Sequence, residues 1–341
     1  MDRIDLNPIL NRQKLRETLS QIGEKELLRR LERFMDAKQI DDDTALIKTC
    51  NKNLLINTDV LVEDVHFSKS TTHPEDIGWK AITTNYSDLI SSGADEFISI
   101  SVGLIAPPST QWNWVEGVYK GMENALQRFG GKIIGGDCSK GNQKIISITA
   151  IGQLGPLRLH RSYARPGDYL LASGPHGLSR LGLALLISNS LENFKFLPDQ
   201  LKKKAIETHQ RPYPQIKTLK NLQKCKPKNL PWRAAGTDSS DGLLQAIESI
   251  CLSSNCKAVL NQSQLPKADY WPAGAEWDEW CLNGGEDYEL ILSLPADWAH
   301  SLIETMPNVK KIGIIQAGTP KVIWSNGKTI EKTNISNFKH F

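Results

Sequence analysis

The stretch KIIGGDCSKGNQKIISITAIGQL, residues 132–154, decides what kind of fold this chain makes. Residues 132–134 and 145–154 are rich in β-branched side chains and read as strands, which leaves GGDCSKG, residues 135–141, as the loop between them. Just upstream, residues 110–129 have the spacing of an amphipathic helix stopped by Gly130-Gly131. Before that helix, residues 97–106 read as another strand, ended by Pro107-Pro108. Strand, helix and strand in succession point to an α+β or α/β protein.

The same alternation continues outward. Residues 12–36 carry an apolar stripe that predicts a helix, followed by strands near 44–48 and 53–57. Thr72-His73-Pro74-Glu75 has capping-box spacing and opens a helix expected to run to about Ser92. Beyond the RPGD turn at 165–168 come strand YLLAS, the loop GPHG at 174–177 and a helix over 178–187. TDSSDG then opens a helix with Leu243, Leu244, Ile247, Ile250 and Cys251 on one face, and NGGEDYELILSL, 283–294, is a loop entering a strand. Residues 191–230 are rich in lysine and proline without strong periodicity, so a partly irregular surface excursion is expected there. The fold class is α+β or α/β, with a domain boundary near residue 156 that divides the chain into 1–155 and 156–341.

Bulk chemistry excludes several functions. With 341 residues the chain can bury a sizeable core. Its 41 Lys+Arg against 38 Asp+Glu give a net charge of +3, too near neutral to suggest a nucleic-acid or membrane partner. No apolar run reaches the ~18 residues of a membrane span, and the charged N-terminus lacks a signal-peptide core. The six cysteines form no CxxC pair and read as reduced thiols of a cytoplasmic protein.

Acidic residues recur beside strand ends and glycines. QIDDDTALI, residues 39–47, holds Asp41, Asp42 and Asp43; Thr58-Asp59, Asp88, Gly135-Gly136-Asp137, Asp238, Asp241 and Glu286-Asp287 follow. Like charges ~4 Å apart repel by ~4 kcal/mol at an effective dielectric near 20, so such groups either face water or collect cations. Carboxylates spread over many loops suit Mg²⁺, which takes oxygen ligands and shares its shell with water and substrate phosphates. The chain lacks a GxxxxGK[ST] loop, HRD and DFG motifs, and a GxSxG nucleophile. GPHG before a helix could cradle phosphate with its N–H groups or simply make a tight turn.

DDDTALI, NTDVLVEDVHF, GWKAITTNYSDLISSGA, IIGGDCSKG, RSYARPGDYLLASG, HQRPYP, TDSSDGLL and LNGGEDYEL follow one another at the spacing of the thiamine-monophosphate kinase family. The chain resembles that family over nearly its whole length, down to the terminal NFKHF. VHF, SDGL and GGEDYEL set it apart from other AIR-synthase relatives, such as selenophosphate synthetase, whose reactive N-terminal cysteine has no counterpart before Cys50. The resemblance implies a PurM-like two-domain fold: an N-terminal domain, 1–155, that binds ATP and Mg²⁺ and dimerises through its sheet, and an α/β domain, 156–341. It implies a cytoplasmic homodimer that phosphorylates thiamine monophosphate to thiamine diphosphate with ATP and several Mg²⁺ ions. Other readings are a related enzyme with a different acceptor and a non-catalytic nucleotide-binding homologue.

By the same resemblance, Asp43, Asn57, Thr58, Asp59, Asp88, Asp137, Asp238 and Asp241 fall on metal positions, with Asp88, Asp137 and Asp238 at the catalytic centre. Gly136, Asp137, Arg161 and Ser240 fall on ATP contacts, and His66, Glu286 and Phe338 on substrate contacts. Asp41 stands where the family has glycine, and Asn57 where it has serine.

Overall fold

The computed structural model describes residues 17–34, 53–187 and 191–330. The aspartate triplet with Asp43, the strand expected near 44–48, and Phe338 lie outside these residues. The described chain forms two compact units. The first contains Ile56–Asn85 and Phe97–Ile151 with residues 17–34, and the second contains Tyr86–Glu96 with residues 53–55 and those from 152 onward.

In the first unit, α1 (Leu19–Leu31) is broken at Gly23, whose φ of +71° lies outside helical space. β1 (Leu54–Val62), α2 (Pro74–Ser91), β2 (Ala94–Ala106), α3 (Trp112–Phe129), β3 (Ile133–Lys140) and β4 (Ile145–Leu154) follow, with Tyr86–Ser91 of α2, the start of β1, the start of β2 and the end of β4 counted in the second unit. Their strands form one sheet in the order β1-β4-β2-β3. Helix α3 buries Trp112, Val115, Val118, Tyr119, Met122, Ala125 and Leu126, which recur at the three- and four-residue spacing that defines one helix face.

The GGDCSKG segment is not a loop. Residues 135–140 belong to β3, which pairs in parallel with β2, Val102 opposite Gly136 and Gly103 opposite Asp137. The register shifts after Ile100, and Gly135 adopts φ +149°. The glycine pair that signals a turn in sequence makes a bulge inside a strand here. Gly136 is required by space, because a Cβ there would strike the Val102 carbonyl. β1 likewise runs past residue 57, so Asn57, Thr58 and Asp59 sit inside a strand rather than at its end.

In the second unit, β5 (Tyr169–Ala172), β6 (Ala235–Asp238), β7 (Lys257–Leu260), β8 (Leu290–Leu294), β9 (Lys310–Gln316) and β10 (Lys321–Trp324) form a mixed sheet ordered β10-β7-β9-β5-β8-β6. Only β10–β7 is parallel. Against this sheet lies α7 (Leu243–Ser254), whose five expected apolar residues are all buried. The RPGD turn is fixed by Asp168, which takes a bidentate ion pair from Arg233 at 2.6 and 2.9 Å and a hydrogen bond from Ser293 Oγ.

Residues 191–230 are more ordered than their composition suggests. They contain α5 (Asp199–Gln210) and α6 (Ile216–Lys224), following α4 (Leu178–Ile187). α5 buries Leu201, Ala205 and His209, one residue per turn. It lies so close to α4 that a Cβ on Gly182 would strike the Ala205 carbonyl. A stripe made of one leucine, one alanine and one histidine among lysines carries little hydrophobic signal, so the helix is not legible without its partner.

Candidate active site

In the second unit, β6 ends at Asp238, only 5% exposed. Its carboxylate accepts hydrogen bonds from Ser87 Oγ at 2.7 Å and Ser240 Oγ at 3.1 Å. Burial nevertheless pushes its pKa above the ordinary carboxylate range, against the pull of those bonds and of Arg161. A carboxylate removed from water this way gains from a nearby cation. Arg161, exposed on a short 3₁₀ turn, donates Nε to Thr237 Oγ1 at 3.0 Å, beside Asp238. This leaves the two terminal nitrogens of its fork to an anion.

Ser239, Ser240 and Asp241 turn the chain from β6 into α7, closed by Gly242 N–H donating to Ser239 O at φ +99°. Asp241 is exposed and accepts from Gln245 Nε2 at 3.2 Å. Asp88 sits half-buried in the last turn of α2, one residue beyond Ser87, at the helix's negative pole.

The loop before β8 is laid directly on this turn. Glu286 N–H donates to Ser240 O at 2.7 Å. Glu286 and Tyr288 hold φ at +65° and +52°, and between them Asp287 is turned inward, 4% exposed. Asp287 accepts Gly177 N–H at 2.6 Å and Ser179 N–H at 2.9 Å. Within GPHG, Gly177 N–H is therefore already taken by a carboxylate of the chain itself and His176 N–H by Pro266 O, so the segment serves as a tight strand–helix turn. Burial raises Asp287 to about 7, with the Glu286 charge adding and the backbone hydrogen bonds opposing. Glu289, hydrogen-bonded by Ser173 Oγ, is raised to about 8 by burial. Behind the loop, His209 Nδ1 lies 3.0 Å from Ser179 Oγ and 3.3 Å from Glu286 Oε2.

In the first unit, Asn57 and Asp59 share one face of β1, and Asn57 Nδ2 donates to Asn85 Oδ1 at 3.1 Å. Thr58 points to the opposite face, its hydroxyl 2.8 Å from Thr149 Oγ1. The Thr58 side chain therefore lies on the face of β1 away from Asn57 and Asp59. Gly136 and the exposed Asp137 lie on β3, with Ser139 Oγ donating to Asp137 at 3.1 Å. His66 Nδ1 accepts Val62 N–H at 3.1 Å, so the neutral ring carries its proton on Nε2. Among the described residues no three His, Cys, Asp or Glu side chains form a ready-made metal cluster. Three residues hold the second-unit site in shape: Ser87 and His209, which sequence reading passed over, and Asp287, which it noted only as one more acidic residue. All lie inside segments already marked, NYSDL, GGEDYEL and HQRPYP, each beside a charged or motif residue that drew the attention.

Residues 41–154 match the family model for the N-terminal domain of AIR synthase related proteins. The chain is 57% identical to the thiamine-monophosphate kinase of Prochlorococcus marinus over 333 residues, 98% of this chain and 100% of that protein. It is 38% identical to the enzyme of the same name from Synechococcus elongatus, over 85% of this chain and 87% of the relative. Among solved structures, thiamine monophosphate kinase from Aquifex aeolicus superposes with a TM-score of 0.68 at 30% identity, covering 93% of this chain and 100% of that one. A structure described as AaThiL complexed with AMPPCP and TMP superposes at 0.72 and 31%, covering 95% and 99%. Hydrogenase maturation protein HypE, at 18% identity and a TM-score of 0.68, shares the fold alone. With more than half of its residues identical along an entire relative, and the Asp238, Ser240 and Glu286 motifs brought together in one unit, the chain belongs to the thiamine-monophosphate kinase family.

Proposed function

We propose that this chain transfers the terminal phosphoryl group of ATP directly to thiamine monophosphate, giving thiamine diphosphate. The observation that carries this reading is the hydrogen bond from Glu286 N–H to Ser240 O, which ties a candidate substrate residue to the turn holding Asp238. Donor and acceptor are both polyanions, so positioning and charge neutralisation matter more than acid–base chemistry. A phosphate acceptor is already largely ionised near pH 7 and needs no general base.

The donor set fits Mg²⁺: it is all oxygen, and the buried Asp238 lacks the solvation its charge requires. When bound, such ions supply neutralisation and alignment of the phosphates. Asp43, Asn57, Thr58, Asp59, Asp88, Asp137, Asp238 and Asp241 would hold them. Arg161 offers the phosphates a planar fork, and Ser240, its hydroxyl held by Asp238, adds a nucleotide contact with Gly136 and Asp137. Glu286 balances the thiazolium charge or accepts from the aminopyrimidine, with His66 and Phe338 as further substrate contacts.

We read 1–155 as the domain that binds ATP and Mg²⁺, and 156–341 as its α/β partner. A homodimer through the N-terminal sheet is supported by Ile56 and Val60, 65% and 43% exposed on one face of β1, which among the described residues is the outermost strand of that sheet. Ile56→Lys is expected to shift the sedimentation mass of the protein from dimer to monomer; an unchanged mass removes that surface from the dimer. The described cysteines are free thiols, which supports a cytoplasmic setting; no described helix is long and apolar enough to cross a membrane.

The deciding assay supplies ATP, Mg²⁺ and thiamine monophosphate and follows thiamine diphosphate by chromatography. Product is expected. No turnover, or turnover only with a different acceptor, overturns the proposal.

A further inference from the structure

The HQRPYP segment, residues 209–214, has no role in the reaction as described so far. Its first residue, His209, is 4% exposed in the last turn of α5, with its Cβ against Gly182 of α4. A buried neutral imidazole needs one hydrogen-bond partner at each ring nitrogen. His209 has two at one nitrogen: Nδ1 is 3.0 Å from Ser179 Oγ and 3.3 Å from Glu286 Oε2.

A carboxylate facing Nδ1 decides where the ring proton sits. If Nδ1 carried only its lone pair, two acceptors would oppose one another. Nδ1 therefore bears hydrogen and donates toward Glu286, with the Ser179 hydroxyl sharing the bond. Ser179 is itself immobilised, because its backbone N–H is held by Asp287 Oδ1 at 2.9 Å. Glu286 and Asp287 are thus gripped as a pair, one by the His209 ring and the other by the start of α4. The Glu286 main chain is fixed separately, by Ser240 O at a left-handed φ of +65°.

Glu286 is 27% exposed, so its carboxylate is covered on the His209 side and open on another. We infer that His209 is a positioning residue: by binding Oε2 of Glu286 it aims the other oxygen outward, toward a cationic or amino-bearing heterocyclic substrate. A carboxylate held this way loses little rotamer entropy when the substrate arrives. The inference rests on the proposed substrate role of Glu286.

The test compares two replacements with opposite virtues. His209→Phe keeps a flat ring of similar size and removes the donor, whereas His209→Asn loses bulk and keeps an amide N–H near the Nδ1 position. For positioning, His209→Phe raises the KM for thiamine monophosphate about tenfold, the size of one buried charged hydrogen bond. Its kcat and KM for ATP change by less than about twofold, and His209→Asn recovers most of the loss. Ser179→Ala, a smaller change that leaves the backbone contact to Asp287, gives a weaker effect in the same direction. Combining His209→Phe with Glu286→Gln adds nothing to Glu286→Gln alone.

Should His209→Phe behave as wild type while His209→Asn is impaired in both substrates and melts early, His209 is only packing and the inference falls. If Glu286→Gln raises that KM and neither His209→Phe nor Ser179→Ala does, the inference also falls while the site reading stands. An unchanged KM in Glu286→Gln overturns both.

Discussion

Replacing Asp238 by asparagine is expected to remove turnover and leave the protein folded, with a melting temperature at neutral pH equal to or above wild type. The two halves of this outcome have one cause. Burial raises the Asp238 pKa, so in the folded state the charged form is held at a cost. For a group whose folded pKa lies above its unfolded one, the stability it contributes is present at low pH and lost as pH rises through the folded value. Asparagine cannot ionise and does not incur that loss. It keeps the shape of the side chain and can still accept from Ser87 or Ser240. What disappears is the negative charge that would hold a cation against the transferring phosphates, an interaction worth several kcal/mol in such reactions. We expect kcat to fall by ~10³-fold or more, corresponding to ~4 kcal/mol. Chromatography of thiamine diphosphate and a thermal melt at pH 8 measure the two halves together. Near-wild-type turnover would remove Asp238 from the catalytic centre, and a large drop in melting temperature would make its role structural.

Asp287→Ala should be the most damaging single change in the loop before β8. It strips the acceptor from Gly177 and Ser179 N–H, two buried donors at the start of α4. Each unsatisfied donor costs roughly 1–3 kcal/mol, so a loss of about 2–6 kcal/mol is expected in chemical denaturation. Asp287→Asn tests the charge separately. Asp287 titrates near 7 in the folded protein but near the ordinary aspartate value when unfolded, so the folded state holds the extra proton between about pH 4 and 7. Wild-type stability is therefore lost as pH rises through that window.

Glu289, raised to about 8, adds to this loss, whereas His176 opposes it. Burial lowers His176 to about 4, so its contribution is lost as pH falls from about 6.5 toward 4. The difference between Asp287→Asn and wild type isolates the Asp287 term, and it should narrow the decline between pH 4 and 7. Parallel melting curves against pH would contradict the burial of that carboxylate.

Much of the framework was legible in the chain. Helix α4 and strand β4 occupy the residues that their periodicity marks, because an apolar stripe at helical spacing and a β-branched run are local signals. Helix α7 buries the face that its spacing predicts, for the same reason. GGDCSKG misled because a bulged strand and a turn use the same glycines, and the difference lies in strand β2, which supplies the Val102 carbonyl against Gly136. Helix α5 was hidden because its buried stripe includes an alanine and a histidine, apolar only in the company of α4.

For the site, the chain alone reveals an acidic inventory beside glycines, serines and threonines, an arginine able to meet phosphate, and a family whose motifs mark which of these to watch, but the junctions expected at Asp59 and Asp137 lie inside strands. The sequence could not rank the carboxylates, since each carries the same charge and follows similar glycines or serines. Tertiary structure ranks them. Asp238 and Asp287 are buried and shifted upward, while Asp137 and Asp241 stay exposed. The partners responsible lie far along the chain: Ser87 is 151 residues from Asp238, and Gly177 is 110 residues from Asp287. Desolvation depends on everything packed around a group, and that is assembled only when distant segments fold against one another.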